Sequence, residues 1–313
     1  MTRLRRGFHL TRRGLLAAAG SAAALPAALT SAGPVAAPPA AGVARLREYW
    51  PCRYGQVNVR TWGPAVAAAT RPPLLCLHQN PRSSRDFARL APWLATDRRV
   101  YALDTPGCGD SDPPPSPASI AELAQALDEA ITAGGAAGRD AALDVFGQHT
   151  GATLGLELAA SRPGRVRRLA LLGIPFVAPP EREAWRLRFA QSRPWVEDPA
   201  YLGAQWQRSV EAARGLGLPD EELLARFADA LHAAPRAAWA FDAVFRYPFE
   251  ARLPRVRQPT LVLVVDETIA PNSRAAAALL PAARIVELTE LDGRALDAAP
   301  GRLATALRAF LDA

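Results

Sequence analysis

The sequence predicts an α/β fold: a doubly wound, mostly parallel sheet with a block of helices inserted into it. Three observations carry that expectation. Short apolar runs of strand length alternate with longer helical stretches. A glycine-flanked turn, Gly147-Gln148-His149-Thr150-Gly151, joins an apolar strand directly to a helix. The alternation then stops between about Pro175 and Leu253, where the chain reads as helix throughout. A chain of 313 residues, half of them hydrophobic, suits one large domain or one domain with an insertion. Such a chain buries a sizeable core without disulfides or metal.

Taken in order, Glu48 to Arg60 alternates around Tyr54-Gly55-Gln56 and reads as a hairpin. Leu74-Leu75-Cys76-Leu77 has the unbroken apolarity of a buried parallel strand. The stretch His78 to Ser84 is a turn, and Asp86 to Ala95 reads as a helix. Val100 to Leu103 is the next strand, and a helix from about Ser119 to Ala133 precedes the strand Ala142 to Phe146. After the glycine turn a helical run covers Thr153 to Ser161, and Arg167 to Leu172 is again a strand. The helical block holds Trp185, Trp195, Trp206, Trp239, Phe241, Phe245 and Tyr247, which either line an apolar pocket or pack the block onto the body. Pro259 to Val265 resumes the strands, Leu279 to Leu288 gives a helix end and the last strand, and Pro300 to Asp312 closes as a helix.

Charge and cysteine content narrow the function classes. The net charge is +7, but residues 1–42 hold Arg3, Arg5, Arg6, Arg12 and Arg13 and no acid, which leaves +2 for the remainder. No basic stripe is interleaved with aromatics, so no nucleic-acid partner is expected. Cys52, Cys76 and Cys108 are odd in number and show no CxxC spacing, so no disulfide framework is expected. The order of regions at the start is that of a secretion signal: basic to residue 14, apolar from Leu15 to about Leu29, then small residues and prolines to Ala41. Thr11-Arg12-Arg13-Gly14-Leu15-Leu16 resembles a twin-arginine export signal, with cleavage after Ala32 or one of Ala36 to Ala41. The apolar run is too short and too rich in Ala and Gly for a membrane span, so a periplasmic or extracellular protein without stable membrane insertion is expected.

Four segments together resemble the α/β-hydrolase fold family with a helical cap. Leu77-His78-Gln79-Asn80-Pro81 is similar to that family's His-Gly-x-Pro turn, which supplies one oxyanion donor. Asp104 to Asp112 looks like its Asp-x-Pro-Gly-x-Gly-x-Ser-Asp loop. The glycine turn is similar to the nucleophile elbow, where the middle residue sits on a strained strand-to-helix turn. Pro259 to Pro271, followed by the Pro281 to Leu288 segment, resembles the end that bears the acid. The resemblance covers residues 48 to 312. With the signal segment read at 1–42, it implies a core at 43–174 and 254–313 and a cap at 175–253.

The departures from the pattern bear on chemistry. A Ser-His-Asp hydrolase needs a nucleophile, a base and an acid that orients the base. Here the elbow presents His149 where the family places Ser, Cys or Asp. The stretch Thr289 to Arg294, where the base histidine belongs, contains no histidine. The chain has only His9, His78, His149 and His232. The standard triad is absent. A carboxylate remains after the Leu261 to Val265 strand as Asp266 or Glu267. Paired with either, His149 would serve as a base toward water or a substrate proton. The N–H groups of Asn80 and Thr150 would form the oxyanion site, the latter at a helix N-terminus. The opposite reading makes His149 an inactive relic packed against the cap.

Gln79, His78 and Cys108 complete the candidate pocket. His78 is structural in the family, and the Cys108 thiol borders the site. The His-x-Asn-Pro-x-Ser-Ser order also resembles haloalkane dehalogenases, whose asparagine holds a halide; their aspartate nucleophile and base histidine are both missing here. No cofactor, metal, phosphate-loop or dinucleotide motif appears. Two functions follow as expectations. One is a cofactor-independent hydrolase or lyase acting on a small, partly apolar carbonyl or ester substrate. The other is a non-catalytic small-molecule-binding protein that kept the pocket and lost the triad.

Overall fold

The computed structural model describes residues 45–136, 142–190 and 199–313. The expected export segment at 1–42 lies outside them, as does Trp195. Strands β1 (Arg45–Cys52) and β2 (Gly55–Trp62) form the hairpin, turning at Gly55, whose φ of 116° is open to glycine alone among common residues. β3 (Leu74–Leu77) follows, then α1 (Ala91–Leu94) and β4 (Val100–Leu103). The expected single helix from Asp86 to Ala95 does not form. A 3₁₀ turn covers Ser84–Phe87 and the short α1 starts separately. Pro92 is the cause: it lacks an N–H, and in a continuous helix its ring would meet the carbonyl four residues back. At the second position of α1 neither penalty applies.

α2 (Ile120–Ala133) opens with a capping box between Ser119 and Glu122. β5 (Leu143–Gln148) runs directly into α3 (Thr150–Ser161), three residues earlier than the sequence reading, and β6 (Val166–Leu172) follows. Next come α4 (Pro179–Phe189), α5 (Pro199–Ser209), α6 (Asp220–Ala233), α7 (Ala237–Arg246) and α8 (Phe249–Arg252). The chain then completes β7 (Thr260–Asp266), α9 (Ala270–Ala277), β8 (Ala283–Asp292), α10 (Ala295–Ala298) and α11 (Pro300–Leu311).

The eight strands form one sheet in the order β1-β2-β4-β3-β5-β6-β7-β8. β1 and β2 are antiparallel to their neighbours, and every later pairing is parallel. Side chains alternate between two cores, as strand geometry requires. Leu75, Leu77, Val145, Leu169, Leu171, Val262 and Val264 face α2, α3 and α9. Leu74, Cys76, Phe146, Ala170, Leu172, Leu261 and Leu263 face α1 and α11. Both faces being covered explains why these strands read as unbroken apolar runs.

The helices α4 to α8 stand between β6 and β7 as a cap. Buried polar contacts tie it to helices of the core. Arg226 of α6, fully buried, makes two hydrogen bonds of 2.6 Å to the carboxylate of Asp297 on α10. Tyr247 and Arg252 both donate to Glu157 of α3, the tyrosine hydroxyl at 2.8 Å. The aromatic residues divide as the sequence left open. Trp206 packs on Phe227 within the cap, and Tyr247 is buried against α3, whereas Trp185, Phe241 and Phe245 reach the cavity described next.

Candidate active site

The site forms where β5 ends. Gly147 and Gly151 leave no room for a side chain. A Cβ on Gly147 would lie 2.3 Å from the carbonyl oxygen of Gly151, and one on Gly151 would lie 2.0 Å from that of Leu77. Strand and helix are thereby pressed together, and the start of α3 abuts the end of β3. Between them His149 adopts φ 49° and ψ −110° and is the one non-glycine residue of positive φ among the described residues. Such a conformation costs of order 1–3 kcal/mol and persists only where its surroundings impose it. Here the His149 N–H donates to the Leu172 carbonyl at 3.0 Å, and its own carbonyl accepts from Thr153 at 3.1 Å.

The imidazole meets one of the two expected carboxylates. His149 Nε2 lies 2.8 Å from Glu267 Oε2. Asp266, the last residue of β7, is exposed and is paired in register with Asp292 across a bulge. Glu267 is one step beyond the strand, in the short turn before α9, and so comes to the opposite side. A Cβ on Gly293 would lie 3.4 Å from Glu267 Oε2, so this carboxylate also borders the Thr289 to Arg294 stretch, which contains no histidine. That segment differs from expectation too, because β8 continues through Asp292 instead of turning at Thr289.

A cavity of about 380 Å³ opens over the pair. Its polar wall holds His149, Glu267, Asn80 and Thr150, and its apolar wall holds Trp185, Phe189, Phe241 and Phe245 from the cap. The His149 side chain is 28% exposed there. With Nε2 bonded to the carboxylate, Nδ1 has no hydrogen-bond partner among the described residues. Thr150 heads α3, so its N–H has no acceptor within the helix. The Asn80 side chain donates to the Ala237 carbonyl at 2.9 Å and thereby ties this turn to the cap.

The other sequence candidates lie outside this cavity. His78 is buried with both ring nitrogens engaged: Nε2 accepts from the Thr105 N–H at 2.9 Å, so Nδ1 donates to the Gln79 carbonyl at 2.8 Å. It fixes the turn that carries Asn80. Gln79 lines an adjoining chamber. Cys108 is buried beneath Asn80, with Sγ 3.8 Å from Asn80 Oδ1, and burial pushes its thiol up to about 12. Among the described residues no three His, Cys, Asp or Glu side chains are grouped to hold a metal ion, and no helix is long and apolar enough to cross a membrane.

Two contributors escaped the sequence analysis. Gly173, just past β6, backs the pair, since a Cβ there would lie 2.1 Å from His149 Cδ2 and 2.7 Å from Glu267 Oε1. A glycine ending a buried strand beside the elbow strand was the available signal. Phe189 belongs to the aromatic wall, but nothing in its sequence context separates it from a packing residue.

Residues 72–281 match the family described as having the alpha/beta hydrolase fold. The chain belongs to the α/β-hydrolase family. Solved structures agree with the fold. A hydrolase from Pseudomonas aeruginosa PA01 is 24% identical with a TM-score of 0.66, over 88% of this chain and 100% of that one. A thermophilic esterase from Thermogutta terrifontis is 20% identical with a TM-score of 0.66, over 85% and 98%. The enol-lactonase from Burkholderia xenovorans LB400 is 18% identical with a TM-score of 0.68, over 85% and 100%. At these identities the likeness is one of fold. Within that α/β-hydrolase frame, the elbow side chain is an imidazole paired to a carboxylate.

Proposed function

We propose that this is an exported, cofactor-independent hydrolase or lyase acting on a small, partly apolar carbonyl or ester compound, with His149 and Glu267 as its working pair. The observation that carries the reading is the 2.8 Å contact between His149 Nε2 and Glu267 Oε2 beneath an aromatic-walled cavity. Glu267 holds the proton on Nε2 and leaves the Nδ1 lone pair toward the substrate. In hydrolysis Nδ1 takes a proton from water, and the water oxygen bonds to the carbonyl carbon. The carbonyl oxygen becomes an oxyanion held by the N–H groups of Asn80 and Thr150. As the carbonyl re-forms, the bond to the leaving group breaks, and the imidazolium returns its proton to that group. No covalent enzyme intermediate is needed.

A second reading, a binding protein without turnover, is favoured by the lack of a hydroxyl or thiol at the middle position of the elbow, which His149 occupies. The two separate on one experiment. Purified protein is assayed on a panel of esters, lactones and epoxides beside His149→Ala. Turnover lost in the variant supports the pair, equal turnover in both removes His149 from the chemistry, and no turnover on any compound favours the binding protein. Export is supported by the order of charges and apolar residues at the amino terminus. Replacing Arg12 and Arg13 by lysine should retain the protein in the cytoplasm, as cell fractionation would show.

A further inference from the structure

The cavity over His149 adjoins a second one. This outer chamber, about 530 Å³, shares Asn80, Arg188, Phe189 and Phe241 with the first, so the two adjoin at these four residues. Their chemistry differs. The outer chamber carries three guanidinium groups, Arg82, Arg188 and Arg208, together with the uncharged polar side chains of Gln79, Asn80, Tyr201, Gln205 and Ser209, and among the described residues no acidic one lines it. Arg82 is already committed to Asp86 at 3.2 Å. Arg188 and Arg208 are not. Among the described residues neither has a carboxylate partner; Arg208 donates only to the neutral Gln205 Oε1 at 3.1 Å, and Arg188 lies over the Phe189 ring at 5.3 Å. Other exposed arginines, Arg214, Arg246 and Arg274 among them, each pair with a carboxylate.

We infer that the outer chamber is an anion subsite, and that the ligand of this protein is a two-part molecule: an apolar carbonyl-bearing end in the His149 cavity and a carboxylate or phosphate held by Arg188 and Arg208. Planar guanidinium groups bind such oxyanions through paired N–H bonds. A recess with apolar walls strengthens the attraction over that of open solvent. Arg188, belonging to both chambers, marks the junction at which an apolar chain passes to a charged end. The inference rests on the His149 cavity being the reacting end, and it names the substrate class for that site.

The test uses phenyl alkyl ketones, which keep the carbonyl but have no leaving group, in short, medium and long chains. Each length is prepared with a methyl, a carboxylate or a phosphate terminus, and binding to the purified protein is measured by calorimetry. At one chain length at least, an anionic terminus should tighten binding about tenfold over the methyl terminus. The preference should fall to about one in the Arg188→Gln, Arg208→Gln double variant, because glutamine removes the charge. Both side chains are exposed, so circular dichroism should show an unchanged fold. The carboxylate and phosphate arms identify which anion is taken. Equal binding of methyl and anionic members at every length, or an anion preference that survives the double variant, would overturn the inference. The readout is independent of turnover: anion preference without ester hydrolysis would sink the catalytic reading alone, and hydrolysis without anion preference would sink this one alone.

Discussion

Gly173 and His149 approach so closely that a methyl group on Gly173 would stand 2.1 Å from the imidazole Cδ2 and 2.4 Å from Nε2. The glycine at the end of β6 is thus one wall of the slot in which the His149–Glu267 pair sits. Its φ of 69° adds a second reason for glycine. Gly173→Ala should therefore act twice. Forcing alanine into the left-handed region costs about 1–2 kcal/mol, visible as a lower Tm. Displacing the ring should cut turnover by about 100-fold or more, as misplacement of a reacting group by about 1 Å does. Unchanged turnover with a lowered Tm would show that the ring does not need this wall.

Glu267→Gln tests the carboxylate with almost no change of shape. It should reduce kcat by about 10²–10⁴, the range for losing positioned acid–base catalysis, while KM changes little. Asp266→Asn, one residue away and exposed, should leave kcat within about twofold of the parent, since it lies outside the cavity. If Asp266→Asn proved the damaging change, the acid would have been misassigned.

Arg226 offers a test of how the cap is anchored. Arg226→Ala would leave the mostly buried Asp297 carboxylate without its two 2.6 Å bonds. Removing one partner of a buried pair costs about 3–5 kcal/mol, measurable by urea unfolding. Arg226→Met combined with Asp297→Leu should recover most of that, because no buried charge is left alone. A double variant as unstable as the single one would mean that the contact geometry, not the unpaired charge, sets the cost.

Cysteine reactivity follows from burial. The Cys108 thiol is pushed up to about 12, first by desolvation and then by Asp104 and Asp229, and burial raises the Cys76 thiol as well. A thiol is alkylated as the thiolate, so at pH 8 iodoacetamide should leave both unmodified in the native protein. Denaturation before labelling should expose both. Rapid native labelling of Cys108, read by peptide mass spectrometry, would contradict its placement beneath Asn80.

Much of the fold was legible in local sequence because buried parallel strands announce themselves as short apolar runs. The elbow was legible because its two glycines are demanded by backbone contacts of 2.0–2.3 Å that no Cβ survives. The single helix expected from Asp86 to Ala95 failed where Pro92 broke it, a local signal that was present but outweighed by the apolar pattern.

The site itself was only half written in the sequence. His149 could be named, along with the loss of the base histidine, because both follow from residue identity at positions the glycines and strands fix. Which carboxylate meets it could not, since Asp266 and Glu267 are neighbours whose side chains leave the strand end in opposite senses. That choice depends on where the β7 bulge lies and on the room left by Gly173 and Gly293. The same holds for the arginines. Arg188 and Arg208 are two among 37 in the sequence, with nothing to distinguish them. Only the packing of α4, α5 and α7 over the strand ends brings these two to a chamber that no acid among the described residues lines. Sequence determined the fold and the imidazole at its centre; tertiary structure decided its partner and the charge of the surrounding space, because both depend on contacts between segments far apart in the chain.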